Sequence, residues 1–200
     1  FTFPGRQVQE ETIITLVDKI RSFSPSYVIA SGSLPPGLPD YFYGLIVKNA
    51  KSVGAKCIVD TSGPALQALQ GKGAYLIKPN IGELCKMLNV DWLDKEEVAD
   101  AAHQAIMDGF AELIAVSMGP EGAWIVSKEE RYFAKAPKIE KRSTVGAGDS
   151  MVAGIIYSLS RDKKLPDAVQ YGVACGTAAT MNPGTELCRK EDVDALFEIR

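Results

Sequence analysis

Short apolar runs alternate with longer stretches of helical periodicity along most of the chain. The apolar runs predict buried strands at residues 27–30, 56–60, 75–78, 113–117 and 124–127, with a strand at 132–133 completing a hairpin. Helical spacing predicts helices over residues 7–23, 40–53, 65–70, 95–108, 148–159, 167–181 and 191–198, and another that opens near residue 80. Asp40 is the expected N-cap of the second helix. This alternation is typical of an α/β fold whose largely parallel sheet is covered on both faces.

The composition is that of an ordinary globular protein. Of the 200 residues, 46% are hydrophobic and 24% are charged, and the net charge of −3 is scattered along the chain. The chain has no basic run, so neither a nucleic acid nor an anionic membrane is an expected partner. Its apolar runs are shorter than the roughly 18 residues that span a bilayer. Because no repeat or linker interrupts the sequence, we expect residues 1–200 to form a single domain.

The cysteines and the single histidine do not suggest a zinc site. The four cysteines form no C-x-x-C pair, and His103 lies in a predicted helix away from every candidate loop. We expect buried thiols that act as small hydrophobic groups, and no catalytic role for His103. So few cysteines favour a reduced, cytoplasmic setting.

The strongest candidate for chemistry is STVGAGDS at residues 143–150, which leads into an apolar helix. Gly146 and Gly148 allow the backbone to approach a ligand, and the free N–H groups of the helix start favour an anion. Asp149 lies in the first turn, where the helix dipole favours a negative charge. A carboxylate beside an anion hole can accept a proton from an attacking hydroxyl while the hole binds a transferring phosphoryl group. An Asp-capped helix after a glycine turn explains the same local pattern.

Three further loops follow predicted strands, where ligands bind in parallel sheets. In KPNIGE at residues 78–83, Asn80 and Glu83 share one helix face and could organise hydrated Mg²⁺ against phosphate oxygens; a capping box is the alternative. The glycines of SMGPEG at 117–122 could lie over a nucleotide or form an ordinary turn. SGSLPPG at 31–37 offers hydroxyl groups to a polar substrate. The sequence contains neither a P-loop nor a G-x-G-x-x-G dinucleotide motif.

The order and spacing of these motifs resemble the ribokinase-like PfkB family of carbohydrate kinases. The resemblance covers about residues 31–200 and depends mainly on N-x-x-E at 80–83, S-x-G-x-x-G at 117–122 and T-V-G-A-G-D at 144–149. The segments 31–37, 59–63 and 143–151 are similar to the phosphofructokinase and tagatose-6-phosphate kinase branch. AATMNPGTELC at 178–188 is most similar to the minor bacterial 6-phosphofructokinases.

The resemblance implies a three-layer α/β/α, Rossmann-like fold and a phosphotransferase with an alcohol group as acceptor. The expected reaction transfers the γ-phosphoryl group of ATP to a hydroxyl of fructose 6-phosphate, fructose 1-phosphate or tagatose 6-phosphate. The implied cofactors are ATP and Mg²⁺, with K⁺ in some members. Two alternatives remain open: a kinase of an unphosphorylated sugar or a nucleoside, and a truncated nucleotide-binding module without catalysis.

The resemblance also assigns roles to individual residues. Asp149 is the expected base, and the amides of Gly146, Ala147 and Gly148 form the anion hole. Ser33 faces the sugar, and Glu83 helps to place Mg²⁺ through water. The residues expected to bind ATP are Asn80, Ser117, Gly119, Gly122, Thr144 and Asn182. The positions that match the K⁺ site are Ser143, Val145, Asn182 and Gly184.

One departure from the family is large. By resemblance, members have about 90 to 100 further residues before the point where this chain begins, within the usual size of a domain. That region carries the first strands of the sheet, part of the sugar site, and a β-structured lid through which a homodimer is expected to form. We therefore interpret Phe1, which stands where a Met would open a complete protein, as the edge of a fragment.

Overall fold

The computed structural model describes residues 7–198, so the expectation about Phe1 lies outside the described residues. The strands are β1 (Tyr27–Ser31), β2 (Lys56–Asp60), β3 (Ala74–Ile77), β4 (Ala111–Ser117), β5 (Gly122–Val126) and β6 (Arg131–Lys135). The helices are α1 (Glu10–Phe23), α2 (Phe42–Ser52), α3 (Gly63–Gln67), α4 (Ile81–Leu88), α5 (Val98–Met107), α6 (Ala147–Leu159), α7 (Leu165–Thr180) and α8 (Lys190–Glu198).

Within the described range the six strands form one sheet in the order β1-β2-β3-β4-β5-β6. The first four strands are parallel, and β5 and β6 continue the sheet as antiparallel neighbours. Because the parallel strands follow one another in a single direction, crossovers of one hand bring every connecting helix to the same face of the sheet. The carboxyl ends of β1 to β4 consequently meet at one edge, where the candidate loops begin.

The sheet is buried on both faces, which explains its continuously apolar strands. Along β2, Cys57 and Val59 belong to the core beneath α1 to α5, whereas Ile58 between them belongs to the core beneath α6 and α7. Helix α8 packs against α7 in a smaller third cluster. Gly154 in α6 would place an added Cβ 2.6 Å from the Cys175 sulfur, so these two helices pack too closely for a larger residue.

The predicted strands and helices are confirmed in order and type, with corrections at their ends. Asp40 is not an N-cap: helix α2 begins at Phe42, whose N–H donates to the Pro39 carbonyl in a preceding turn (2.9 Å). The helix predicted from residue 95 begins instead at Val98. A separate turn comes first, because the Glu97 carboxylate accepts from the Asp94 N–H (2.9 Å).

The described part of the chain contains no helix that is both long and apolar enough to cross a bilayer. Its cysteines are free thiols: Cys57, Cys85 and Cys175 are buried, and Cys188 is half-buried. His103 is half-buried, and its Nε2 lies 3.1 Å from the Lys128 carbonyl oxygen. The single-domain organisation of residues 1–200 stays a prediction.

Candidate active site

A cavity of about 600 Å³ lies between the strand ends and the start of α6. Its lining joins the turn after β4 to the loop before α6 and to one side of α7. Several residues expected at the site line it: Ser117, Gly119, Gly122, Thr144, Ala147 and Gly148. A volume of this size suits a small organic ligand or cofactor. Three other expected residues do not line the cavity but neighbour residues that do: Asn80 is bridged to Ser117, Asp149 follows Gly148, and Asn182 lies two residues after Thr180.

The start of α6 provides unpaired backbone donors. Gly146 is the N-cap, with φ +77°, a left-handed conformation that favours glycine. The N–H groups of Gly146, Gly148 and Asp149 donate no hydrogen bond within residues 7–198, whereas Ser150 N–H donates to the Gly146 carbonyl (2.9 Å) and begins the helix. The Ala147 amide, expected as a third donor to an anion, instead donates to the Thr144 carbonyl (3.4 Å). Free N–H groups at the positive end of a helix form a site for an anion.

Asp149 follows these amides in the first turn of α6. Its Oδ1 accepts a hydrogen bond from Ser31 Oγ (3.1 Å), at the carboxyl end of β1. Ser33, the hydroxyl residue expected to face the sugar, lies two residues further along the same loop and is exposed. Both hydroxyl groups were expected as possible substrate contacts, and in the structure Ser31 instead donates to the Asp149 carboxylate.

A buried ion pair next to the start of α6 was not assigned from the sequence. Lys78 Nζ lies 3.4 Å from Asp60 Oδ1, and the two side chains are 10% and 16% exposed. An added Cβ on Gly148 would lie 3.3 Å from Lys78 Nζ, so the ammonium group borders the start of α6. Burial raises the pKa of Asp60; Lys78 opposes this shift, and the negative charges of Asp149 and Glu83 add to it.

The sequence did contain a signal for this pair. Asp60 ends β2, and Lys78 directly follows β3, which is the next strand in the sheet. In a parallel sheet, side chains at the ends of adjacent strands lie close together. Charged residues at such positions are therefore candidates for a site even when the motif that contains them assigns them no role.

Asn80 and Glu83 form a capping box at the start of α4. Asn80 Oδ1 accepts from the Glu83 N–H (2.9 Å), and Glu83 Oε2 accepts from the Asn80 N–H (2.8 Å). The capping interpretation is thus confirmed, and among the described residues Glu83 Oε1 has no hydrogen-bond partner. Ser117 N–H donates to the Pro79 carbonyl (2.9 Å), so the Asn80 loop and the turn after β4 are adjacent.

Hydrogen bonds between the loop before α6 and the turn after α7 connect three of the four positions matched to a K⁺ site. Ser143 Oγ donates to the Gly184 carbonyl (2.6 Å) and accepts from the Val145 N–H (3.2 Å). The buried Asn182 side chain donates from Nδ2 to the Leu187 carbonyl (2.8 Å), closing the turn after α7. Across residues 7–198, no group of three or more His, Cys, Asp or Glu side chains is placed to bind a metal ion.

The sequence of residues 6–192 matches the model of the pfkB family carbohydrate kinases. The chain belongs to this family. The ATP-dependent 6-phosphofructokinase isozyme 2 of Escherichia coli K12 is 36% identical over 199 residues, which cover 98% of this chain and 64% of the relative. The 1-phosphofructokinase of Borreliella burgdorferi is 35% identical over 192 residues, with coverages of 95% and 61%.

Solved structures of the family agree with the fold. The E. coli phosphofructokinase-2 in complex with potassium has a TM-score of 0.94 and 35% identity, and the match covers 100% of this chain and 65% of that one. The ribokinase-like α/β/α fold predicted from the sequence is thereby confirmed. The chain spans slightly less than two thirds of the length of these pfkB relatives.

Proposed function

We propose that the protein is an ATP-dependent kinase that phosphorylates a hydroxyl group of a phosphorylated ketohexose. The observation that carries the proposal is the position of Asp149, which directly follows the unpaired amide of Gly148 where this glycine borders both the buried Lys78 and a nucleotide-sized cavity. The names of the relatives support fructose 6-phosphate or fructose 1-phosphate as acceptor. Tagatose 6-phosphate is a third candidate from the family resemblance.

In this proposal Asp149 acts as the general base. The acceptor oxygen forms a bond to the γ-phosphorus while its proton passes to the Asp149 carboxylate, and ADP leaves with the electrons of the broken P–O bond. The unpaired amides of Gly146 and Gly148 stabilise the charge on the transferring group, and the Lys78 ammonium adds to them. Ala147 positions these amides as the first residue of α6. Phosphoryl transfer needs mainly such positioning and charge neutralisation.

We place ATP in the cavity, with its phosphates at the start of α6. Asn80, Ser117, Gly119, Gly122, Thr144 and Asn182 surround it. The free Oε1 of Glu83 fits a hydrated Mg²⁺, because this ion keeps several waters and needs few protein ligands. When bound, Mg²⁺ neutralises phosphate charge. The joined loops of Ser143, Val145, Asn182 and Gly184 fit a K⁺ site, which the potassium complex of the E. coli relative supports.

The remaining parts of the proposal come from the family resemblance. Ser33 contacts the acceptor sugar, and cationic groups outside residues 7–198 bind its phosphate. A homodimer forms through a lid that also lies outside these residues. We expect a small sugar phosphate as the partner rather than a nucleic acid or a membrane, and a cytoplasmic location.

A coupled ADP-release assay with full-length protein tests this function. We expect turnover with at least one of the three sugar phosphates, and Asp149→Asn should lower kcat at least about 100-fold while ATP still binds. Asp167→Asn, in the first turn of the neighbouring helix α7, is the matched control and should retain activity. Near-normal turnover by Asp149→Asn would contradict the role of the base. Turnover only with unphosphorylated sugars or nucleosides, or ATP binding without any turnover, would support the alternative functions.

A further inference from the structure

Ser31 and Asp149 are connected across the molecule by one hydrogen bond. Ser31 is the last residue of β1, and Asp149 lies 118 residues later in α6, yet Ser31 Oγ donates to Asp149 Oδ1 over 3.1 Å. Within residues 7–198 no other group donates a hydrogen bond to this carboxylate. One carboxylate oxygen is therefore occupied, and the second is left for another partner.

The backbone that carries Ser31 is held by buried hydroxyl groups. The carbonyl of the next residue, Gly32, accepts from Tyr43 Oη (2.7 Å) and from Thr61 Oγ1 (2.8 Å). The Gly32 N–H donates to the Asp60 carbonyl (2.9 Å), which extends the pairing of β1 with β2. Tyr43 and Thr61 are both buried, so their hydroxyl groups are committed to this carbonyl.

Glycine is required at the point where the chain turns after Ser31. Gly32 has φ +111°, a conformation that other residues rarely adopt, and it redirects the chain directly after the strand. Three hydrogen bonds thus fix the orientation of a residue whose neighbour contacts the proposed base. This arrangement restrains Ser31 Oγ more than its exposed position alone would suggest.

We propose that Ser31 is a positioning residue for Asp149. It holds Oδ1 so that Oδ2 points towards the acceptor hydroxyl, which must lie within hydrogen-bond distance for proton transfer. The assignment rests on the proposed function, because it requires Asp149 to act as the base. It adds a residue that the sequence analysis considered only as a substrate contact.

Steady-state kinetics of Ser31→Ala and Ser31→Thr in the full-length protein test the assignment. Because small errors in geometry slow catalysis strongly, we expect Ser31→Ala to lower kcat about tenfold and to change both KM values less than about twofold. Ser31→Thr keeps the hydroxyl group and should recover kcat to within about threefold of wild type. A rise in the sugar KM with unchanged kcat would overturn the proposal and make Ser31 a substrate contact.

Ser127→Ala is the matched control for a general loss of stability. Ser127 Oγ accepts from the N–H groups of Glu129 and Glu130 (3.1 and 2.9 Å) in the turn between β5 and β6, away from Asp149. This variant should be less stable, but its kcat per folded molecule should equal that of the wild type. The folded fraction is measured from the stoichiometry of nucleotide binding. An equal loss of kcat in Ser127→Ala and Ser31→Ala would overturn the positioning role.

A double-mutant cycle separates failure of this assignment from failure of the proposed function. When Ser31 acts through Asp149, adding Ser31→Ala to Asp149→Asn should lower the residual rate less than about twofold. A further tenfold loss would show an independent role and overturn the proposal. If wild-type turnover is normal and Ser31→Ala equals it, only the Ser31 assignment fails. If the wild type phosphorylates no acceptor, the proposed function fails and the Ser31 assignment fails with it.

Discussion

Replacing Lys78 with methionine should destabilise the fold, because it leaves the Asp60 carboxylate without its partner in a buried position. The Nζ–Oδ1 distance is 3.4 Å, and both side chains are at most 16% exposed. At this distance the gross attraction is about 5 kcal/mol with an effective dielectric constant of about 20. Since breaking one side of a buried pair costs about 3 to 5 kcal/mol, we expect Lys78→Met to lower the free energy of unfolding by about 3 kcal/mol at pH 7.

The loss should depend on pH in a defined direction. The pKa of Asp60 in the folded state is raised above its ordinary value of 3.8, chiefly by burial. Its contribution to stability is fully present below pH 3.8 and is lost as pH rises through the folded-state pKa. Lys78 opposes the rise in the Asp60 pKa, so Lys78→Met should raise this pKa further and move the loss of stability towards higher pH. Lys78→Met should therefore be less destabilising at pH 5 than at pH 7.

Urea unfolding at pH 5 and pH 7 tests the pair in the wild type, Lys78→Met, the double variant with Asp60→Asn, and a control. Asp60→Asn in the Lys78→Met background removes the unpaired charge and should restore most of the lost stability. The control is Lys95→Met, which breaks the exposed pair of Lys95 Nζ with Glu121 Oε1 (2.6 Å; side chains 60% and 45% exposed) and should cost less than about 1 kcal/mol. The reasoning would be refuted if Lys78→Met were as stable as Lys95→Met. It would also be refuted if Asp60→Asn restored none of the stability lost in Lys78→Met.

Three further predictions concern other features of the site and core. Gly122→Ala should lower the free energy of unfolding in urea by about 3 kcal/mol or more, because the added Cβ would lie 1.9 Å from a backbone oxygen of β6. Gly54 has open space around it, so the control Gly54→Ala should lower the free energy of unfolding by only about 1 kcal/mol. Tyr43→Phe should cost about 1 kcal/mol and lower kcat severalfold; unchanged kinetics would argue against rigid support of the loop after β1. Burial raises the pKa of Cys57 and Cys175 to about 12, so mass spectrometry should find neither thiol labelled at pH 8 until the protein is unfolded.

The elements and the motif loops could be predicted from the sequence because their signals are local. The apolar run of β2 is buried on both faces of the sheet, as its residues predict. The glycines before Asp149 lie at the start of α6, where their amides are unpaired. Asn80 and Glu83 lie three residues apart, so their capping box follows from helix geometry alone. The ends of elements were less accurate, as at Asp40, because a turn closed by the Phe42 N–H and the Pro39 carbonyl precedes α2 and moves its start beyond the expected cap.

By itself, the sequence determined the order of strands and helices and the small-residue loop that opens α6, since both depend on neighbouring residues. Only the tertiary structure decided which distant side chains meet there. The Lys78–Asp60 pair depends on β3 lying beside β2 in the sheet. The Ser31–Asp149 hydrogen bond depends on the first turn of α6 lying close in space to the carboxyl end of β1. The strand ends mark Asp60 and Lys78 as candidates, but no local pattern contains the contacts themselves, because the packing of the sheet and its covering helices creates them.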